Sequence, residues 1–219
     1  MKWFKKTIAF LFQIFLMAIL PFWLFLRGSI WLYESYNWYH WFAVIAMFAL
    51  VFVILLVYVA MIWDAVFGAN KISRRSLKGK VAFVLILMSF YAGYALFSLS
   101  SGNAKSEKVH NEYLSLHPFM RIASGTLIFL DNDLMITSAS RVKEDYKNMG
   151  LKTLKNSLHY KQSDGYVHAL DLRTKGRSEL RNTLTIWYFK IMGFNTLRHV
   201  GTADHLHVSL SVKDKPGAI

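Results

Sequence analysis

SLHYKQSDGYVHALDLR, residues 157–173, and TADHLHVSL, residues 202–210, are the stretches around which the chain is organised. The first contains His159 and Asp171, the second His205 and His207. These are the residue types that hold a catalytic zinc ion when three protein ligands leave a fourth position open for water. HLHVSLSV alternates apolar and polar residues, so it reads as a terminal strand whose two imidazoles project from one face, on the order of 6 to 7 Å apart. A His-x-His pair also arises as a plain cross-strand polar pair, so the strand alone does not separate a metal site from sheet packing. Between the two stretches, Glu179 to Met192 has the periodicity of an amphipathic helix, with Gly193 as its C-cap.

Outward from this core the composition changes. The chain has 219 residues, 54% of them hydrophobic, but the apolar residues concentrate before about residue 100. Three long runs there, about 7–26, 41–63 and 81–99, are expected to span a bilayer. The first follows the basic head MKWFKK and ends in WLFLRGS without a small-residue cleavage site, so it reads as a retained span, not a signal peptide. Arg27 to His40 reads as an aromatic loop at headgroup level. Gly68 to Lys80 carries Lys71, Arg74, Arg75, Lys78 and Lys80 with no acid. By the positive-inside rule this loop and the N-terminus are expected to be cytoplasmic, with the chain a multi-pass protein of the inner (cytoplasmic) membrane and the C-terminal part outside the cytoplasm, which in a Gram-negative cell is the periplasm.

Residues 101–112 read as a Ser/Gly-bearing linker and 113–219 as one α+β domain of roughly 110 residues, enough to bury its own core. Within it Asn111 to Ser124 has helical periodicity, and 142–156 reads as loop and helix turn. TLIFL (126–130) and LMITSAS (134–140) read as two short strands around the turn Asp131-Asn132-Asp133. The absence of Cys excludes disulfides and thiolate metal sites. The net charge of +13 is divided between membrane-flanking loops and a domain that intersperses bases with acids. With no clustered basic face, it favours an anionic lipid or wall polymer over nucleic acid.

The order Ser157-x-His159, a Gly-containing turn, Ala169-x-Asp171 and then His205-x-His207 resembles the LAS group of zinc peptidases, the D-alanyl-D-alanine carboxypeptidases and related dipeptidases and endopeptidases. ITSASR (136–141) is similar to that group's strand-end "TSxxR". The resemblance runs over about residues 115–211. It implies zinc held by His159, Asp171 and His207, with His205 moving protons and Arg141 steadying the substrate carbonyl. It also implies that Ser157 bonds substrate or orients the turn, and that peptidoglycan peptides are cut next to a D-amino acid. One departure stands out: QSDGYV is inserted before His168, and Val167 occupies a position where Gly is expected. His168 is therefore a competing ligand if the turn folds differently; His159 is favoured because SLHY precedes the insertion intact. Asp164 and Tyr166 on the insertion are either substrate contacts or a solvated loop. His40, His110, His117 and His199 lack a partner at metal spacing and read as structural or surface residues, and Trp187 as core or pocket wall.

The alternative to an enzyme is a wall-binding membrane component of an envelope or phage-encoded assembly; a third reading joins a membrane-lesion module to a wall hydrolase. All three place the C-terminus outside the cytoplasm. A phosphatase fused there is expected to be active and a cytoplasmic reporter silent, and the reverse pattern would overturn the orientation.

Overall fold

Pro21 stands in the first turn of α1 (Leu20–Tyr36), where its fixed φ suits a helix start and its missing N–H costs nothing. The helix ends at Asn37, whose left-handed φ of 58° lets its N–H return to Leu32 O, and α2 (His40–Phe67) begins three residues later. The aromatic stretch expected as a loop is thus helical to Tyr36, and only Asn37 to Tyr39 turn the chain. These helices pack on each other in the first of two units, Met1–Ala92 and Gly93–Ile219. The computed structural model describes residues 3–4, 7–8, 12–13, 16–17, 19–67, 74–148, 150, 152, 156–201 and 204–211.

Three spans are expected from the sequence, whereas the described residues hold two helical segments long and apolar enough to cross a membrane. They are His40–Ile62 of α2 and Leu77–Phe97 of α3 (Arg74–Phe97). The run at 7–26 falls partly outside the described residues, as do positions 68–73 of the basic loop.

The second unit is α+β. After α4 (Glu107–Asn111) and α5 (Pro118–Leu130) come β1 (Ile136–Ser138), α6 (Lys143–Asn148), β2 (Ala169–Arg173), α7 (Glu179–Met192), β3 (Asn195–His199) and β4 (His205–Ser209). The strands form one antiparallel sheet in the order β1-β2-β4-β3. The expected α7 and β4 are present, and Gly193 caps α7 with φ 103°. Ser178 accepts from Arg181 N at the other end of α7, and the helix buries Asn182, Thr185, Phe189 and Met192. Trp187 lies on its exposed face and not in the core.

TLIFL is the end of α5, not a strand. His117 accepts from Phe119 N as N-cap, Pro118 opens the helix, and Phe119, Ile122, Ala123, Leu127 and Ile128 are buried along it. The stretch expected as a linker is ordered too. Ala104 pairs with Ile136, Lys105 N donates to Ile136 O at 2.9 Å, and Asn103 donates to the carbonyls of Asn132 and Leu134. Ser106 is the N-cap of α4.

α5 and the turn before it (Tyr113–Ser115) close the last turn of α3. A helix leaves its final carbonyls without intrahelical partners, and here Tyr113 Oη donates to Ala95 O at 3.0 Å and Arg121 Nη1 to Leu96 O at 2.9 Å. Such an approach needs a residue without a side chain, since a Cβ on Gly125 would stand 3.0 Å from Ala95 O and 3.1 Å from Ala95 Cα. Gly125→Val is therefore expected to destabilise the protein by roughly 1–3 kcal/mol through backbone displacement. Gly93→Ala, with nothing within 4 Å, should be tolerated. Thermal unfolding of the detergent-solubilised chain, followed by circular dichroism, compares the two.

Candidate metal centre

The sheet register brings the site together. Asp171 on β2 is directly opposite His207 on β4 and, across the other edge, opposite Ser138 on β1. Antiparallel partners stand close enough for their side chains to touch. His207 Nδ1 is 2.9 Å from Asp171 Oδ1. One row away, Arg173 pairs with His205, and His205 with His199.

His159 comes from a turn, not a strand, and four backbone-anchored contacts hold it. Its carbonyl accepts from Arg141 N at 2.9 Å, its N–H donates to Ser157 Oγ at 3.2 Å, and Leu158 O accepts from His168 N at 3.0 Å. Its ring Nδ1 donates to Ala139 O at 2.7 Å, which fixes the tautomer and leaves the Nε2 lone pair facing the sheet. That nitrogen lies 3.3 Å from His207 Nδ1 and 3.3 Å from Asp171 Oδ1.

Three donor atoms thus converge with edges of 2.9, 3.3 and 3.3 Å, and all three residues are buried. Donors held about 2.0–2.1 Å from a tetrahedral ion are separated by about 3.3 Å, so the triangle has the right size for one. Imidazole and carboxylate suit zinc and also iron, copper or nickel.

Electrostatics favour the ligating forms. Burial, the largest influence, lowers the pKa of His159 below its ordinary value. Burial works to raise that of Asp171, but His159, His207 and Arg141 together hold it well below the usual carboxylate range. Arg141 Nη2 pairs with Asp171 Oδ2 while its Nε donates to Ser138 Oγ at 2.8 Å. The guanidinium therefore fixes the carboxylate oxygen that faces away from the two imidazoles.

His168 is outside this group for a reason of parity. Side chains alternate along a strand, so a residue three positions before Asp171 leaves by the opposite face. There its Nε2 meets Asp164 Oδ2 at 2.8 Å. The insertion is a short excursion closed by a bridge between Lys161 and Val167. Gly165 takes a φ of 83°, and Asp164 Oδ1 accepts from Tyr166 N. Asp164 thus serves His168 and its own turn, and Tyr166 packs edge-on against His117. Neither lines the cleft beside the three donors.

That cleft has a volume of about 1070 Å³, and Arg141, Ser157, His199 and His205 are in its walls. Ser157 Oγ is engaged with Tyr146 Oη at 2.6 Å as well as with His159 N, so it organises the turn. His205 is partly exposed, its Nε2 is 3.9 Å from Asp171 Oδ1, and its ring stacks on His199 at 4.7 Å. His199 is the site residue that the sequence reading missed; its signal was the alternation of NTLRH, which marks a strand able to pair with HLHVS. His110 and His117 serve as a hydrogen-bond partner of Leu99 O and a helix cap.

A scan against protein-family models and searches of curated proteins and of solved structures find no match for the chain.

The donor set is expected to bind one divalent ion per chain. His159→Ala, Asp171→Ala and His207→Ala should each abolish binding, while His168→Ala retains it. Elemental analysis of the purified full chain gives both stoichiometry and metal identity. Loss of metal in His168→Ala with retention in His159→Ala would reverse the ligand assignment.

Proposed function

We propose that this chain is a membrane-anchored zinc-dependent peptidase that cleaves peptidoglycan peptides outside the cytoplasm, as a carboxypeptidase or endopeptidase acting next to a D-amino acid. The observation that carries this reading is the buried triangle of His159 Nε2, Asp171 Oδ1 and His207 Nδ1, opening on a cleft whose walls also include the His205 imidazole and the Arg141 guanidinium. The resemblance of the Ser-x-His, Ala-x-Asp and His-x-His order to LAS peptidases supplies the substrate class. The charge pattern around α2 and α3 supports an inner-membrane location with the second unit in the periplasm.

The residues divide the work. His159, Asp171 and His207 would hold zinc, which when bound brings its water toward neutral pKa and polarises a substrate carbonyl. His205, beside the donors and open to the cleft, takes a proton from the attacking water and delivers it to the departing amine nitrogen. Its stacking on His199 keeps the ring from turning away. Arg141 stabilises charge on the carbonyl oxygen, and its pairing with Asp171 adds a second role in holding that ligand.

The two roles separate experimentally. His205→Ala is expected to keep its metal and lose on the order of 100-fold or more in turnover. Arg141→Ala should lose rate and also roughly 10–100-fold in metal affinity, because Asp171 loses its partner. Mass spectrometry of muropeptides after incubation with wild type, each variant and a chelated control reads the rates, and metal titration of the purified variants reads the affinity. Equal product from wild type and His205→Ala removes His205 from the mechanism. No metal-dependent product across several wall chemistries would favour a wall-binding membrane component instead.

A further inference from the structure

We propose that the second unit has a membrane contact of its own: the last turn of α5, Phe129 and Leu130, together with Leu180 at the start of α7, enters the interface of the bilayer crossed by α3. The proposal rests on reading α3 as a span.

The argument is one of register. Arg121 reaches Leu96 O, the open side of Gly125 faces Ala95, and the Phe129 ring stands edge-on to Tyr94 at 5.9 Å. α5 thus crosses the end of α3, each turn of α5 meeting a position about one residue further back on α3, so that its last turn is level with Tyr94, inside the apolar segment Leu77–Phe97. If hydrocarbon reaches Phe97, Phe129 lies level with Tyr94, roughly 4.5 Å inside that boundary at the rise of an α-helix. Phe129 and Leu130 are nevertheless 73% and 71% exposed. Large apolar side chains presented beside the end of a span are placed for lipid.

α7 extends the same surface. It runs antiparallel to α5, since Arg181 pairs with Asp131 and Tyr188 Oη donates to Ala123 O at 2.8 Å. Its first turn thus sits beside the last turn of α5, and Leu180 there is 69% exposed. Ile191 on the same face is about 16 Å further along the helix and so clear of the boundary. Arg177 and Arg181, paired with Asp131, flank the apolar residues. Apolar side chains bordered by Arg and Tyr suit the headgroup level, and the chain's +13 charge suits anionic lipid. A soluble partner could reach Phe129 only by entering that layer.

The chain has no Cys, so Phe129→Cys, Leu180→Cys, Ile191→Cys and Leu87→Cys can each carry a single environment-sensitive fluorophore. The labelled full-length proteins are reconstituted in vesicles of phosphatidylcholine and phosphatidylglycerol and quenched by brominated lipid or by aqueous iodide. Labels at 129 and 180 are expected to be quenched several-fold more by brominated lipid than the label at 191, with iodide showing the reverse order. Iodide access at 129 and 180 equal to that at 191, with 87 still reached only by lipid, would overturn the contact and leave the span standing. Iodide access at 87 would overturn the span and the contact together. Shielding of 129 and 180 from both quenchers would mean that protein, such as a second copy, covers the face, and would also overturn the proposal.

Discussion

The second unit is built around one buried charge. Asp171 is only 3% exposed, and an isolated carboxylate at such a place would cost several kcal/mol. Two partners on separate pieces of chain answer that cost, Arg141 after β1 and His207 on β4, while His159 in the turn before β2 brings its Nε2 lone pair to the same oxygen as His207. None is adjacent to Asp171 in sequence, so the carboxylate can be buried only when β1, the turn and β4 have all reached β2. Removing Arg141 leaves that charge without its paired cation, an error worth roughly 3–5 kcal/mol in buried pairs. A single group therefore ties the sheet order to the geometry of the site.

The charge balance also bears on what the site attracts. Arg141 already offsets the charge of Asp171, and His159 is held toward its neutral form by burial. A dication bound by these donors would therefore keep most of its positive charge uncompensated by protein. Such a centre favours an anionic or strongly polarised oxygen in the remaining position, which is the electrostatic condition that hydrolysis needs.

How much of this was legible in the sequence depended on how local the determining physics is. β4 and α7 were readable because alternation and helical periodicity are properties of the segment itself. Asp171 and the His205-His207 pair were readable as chemistry, while their meeting depends on a register that no single stretch encodes. TLIFL was misread because five apolar residues fit a short strand as well as a buried helix; the deciding features were His117 and Pro118, a full helix length upstream. The polar, Ser/Gly-bearing stretch 101–112 was taken as a linker from its composition. Ser106 and Asn103 are in fact capping and carbonyl-binding residues, and polarity alone does not distinguish those from solvation. His168 could have been set aside from the sequence, since an offset of three on a strand reverses the face.

The same hydrogen-bonded chain that ends α3 leads to the three converging donors. Tyr113 and Arg121 hold the last carbonyls of α3. Two residues after Tyr113, Ser115 O accepts from Val167 N, and His117 N donates to Val167 O. Val167 is therefore clamped on both sides of its peptide unit by the segment that leads into α5, and it stands where the insertion returns and β2 begins. From there His168 N binds Leu158 O, next to His159, and His168 O accepts from Leu210 N, next to the end of β4. The Val167 backbone is paired on both sides, and its side chain is fully buried. The return end of the 162–167 turn is thus attached at Val167 to the segment that leads into α5, while its other end closes on itself, Gln162 N donating to Tyr166 O at 2.8 Å. Within the second unit, hydrogen bonds of Tyr113, Arg121, Val167 and His168 therefore run without a break from the carbonyls of Ala95 and Leu96 to β2 and the turn that bears His159.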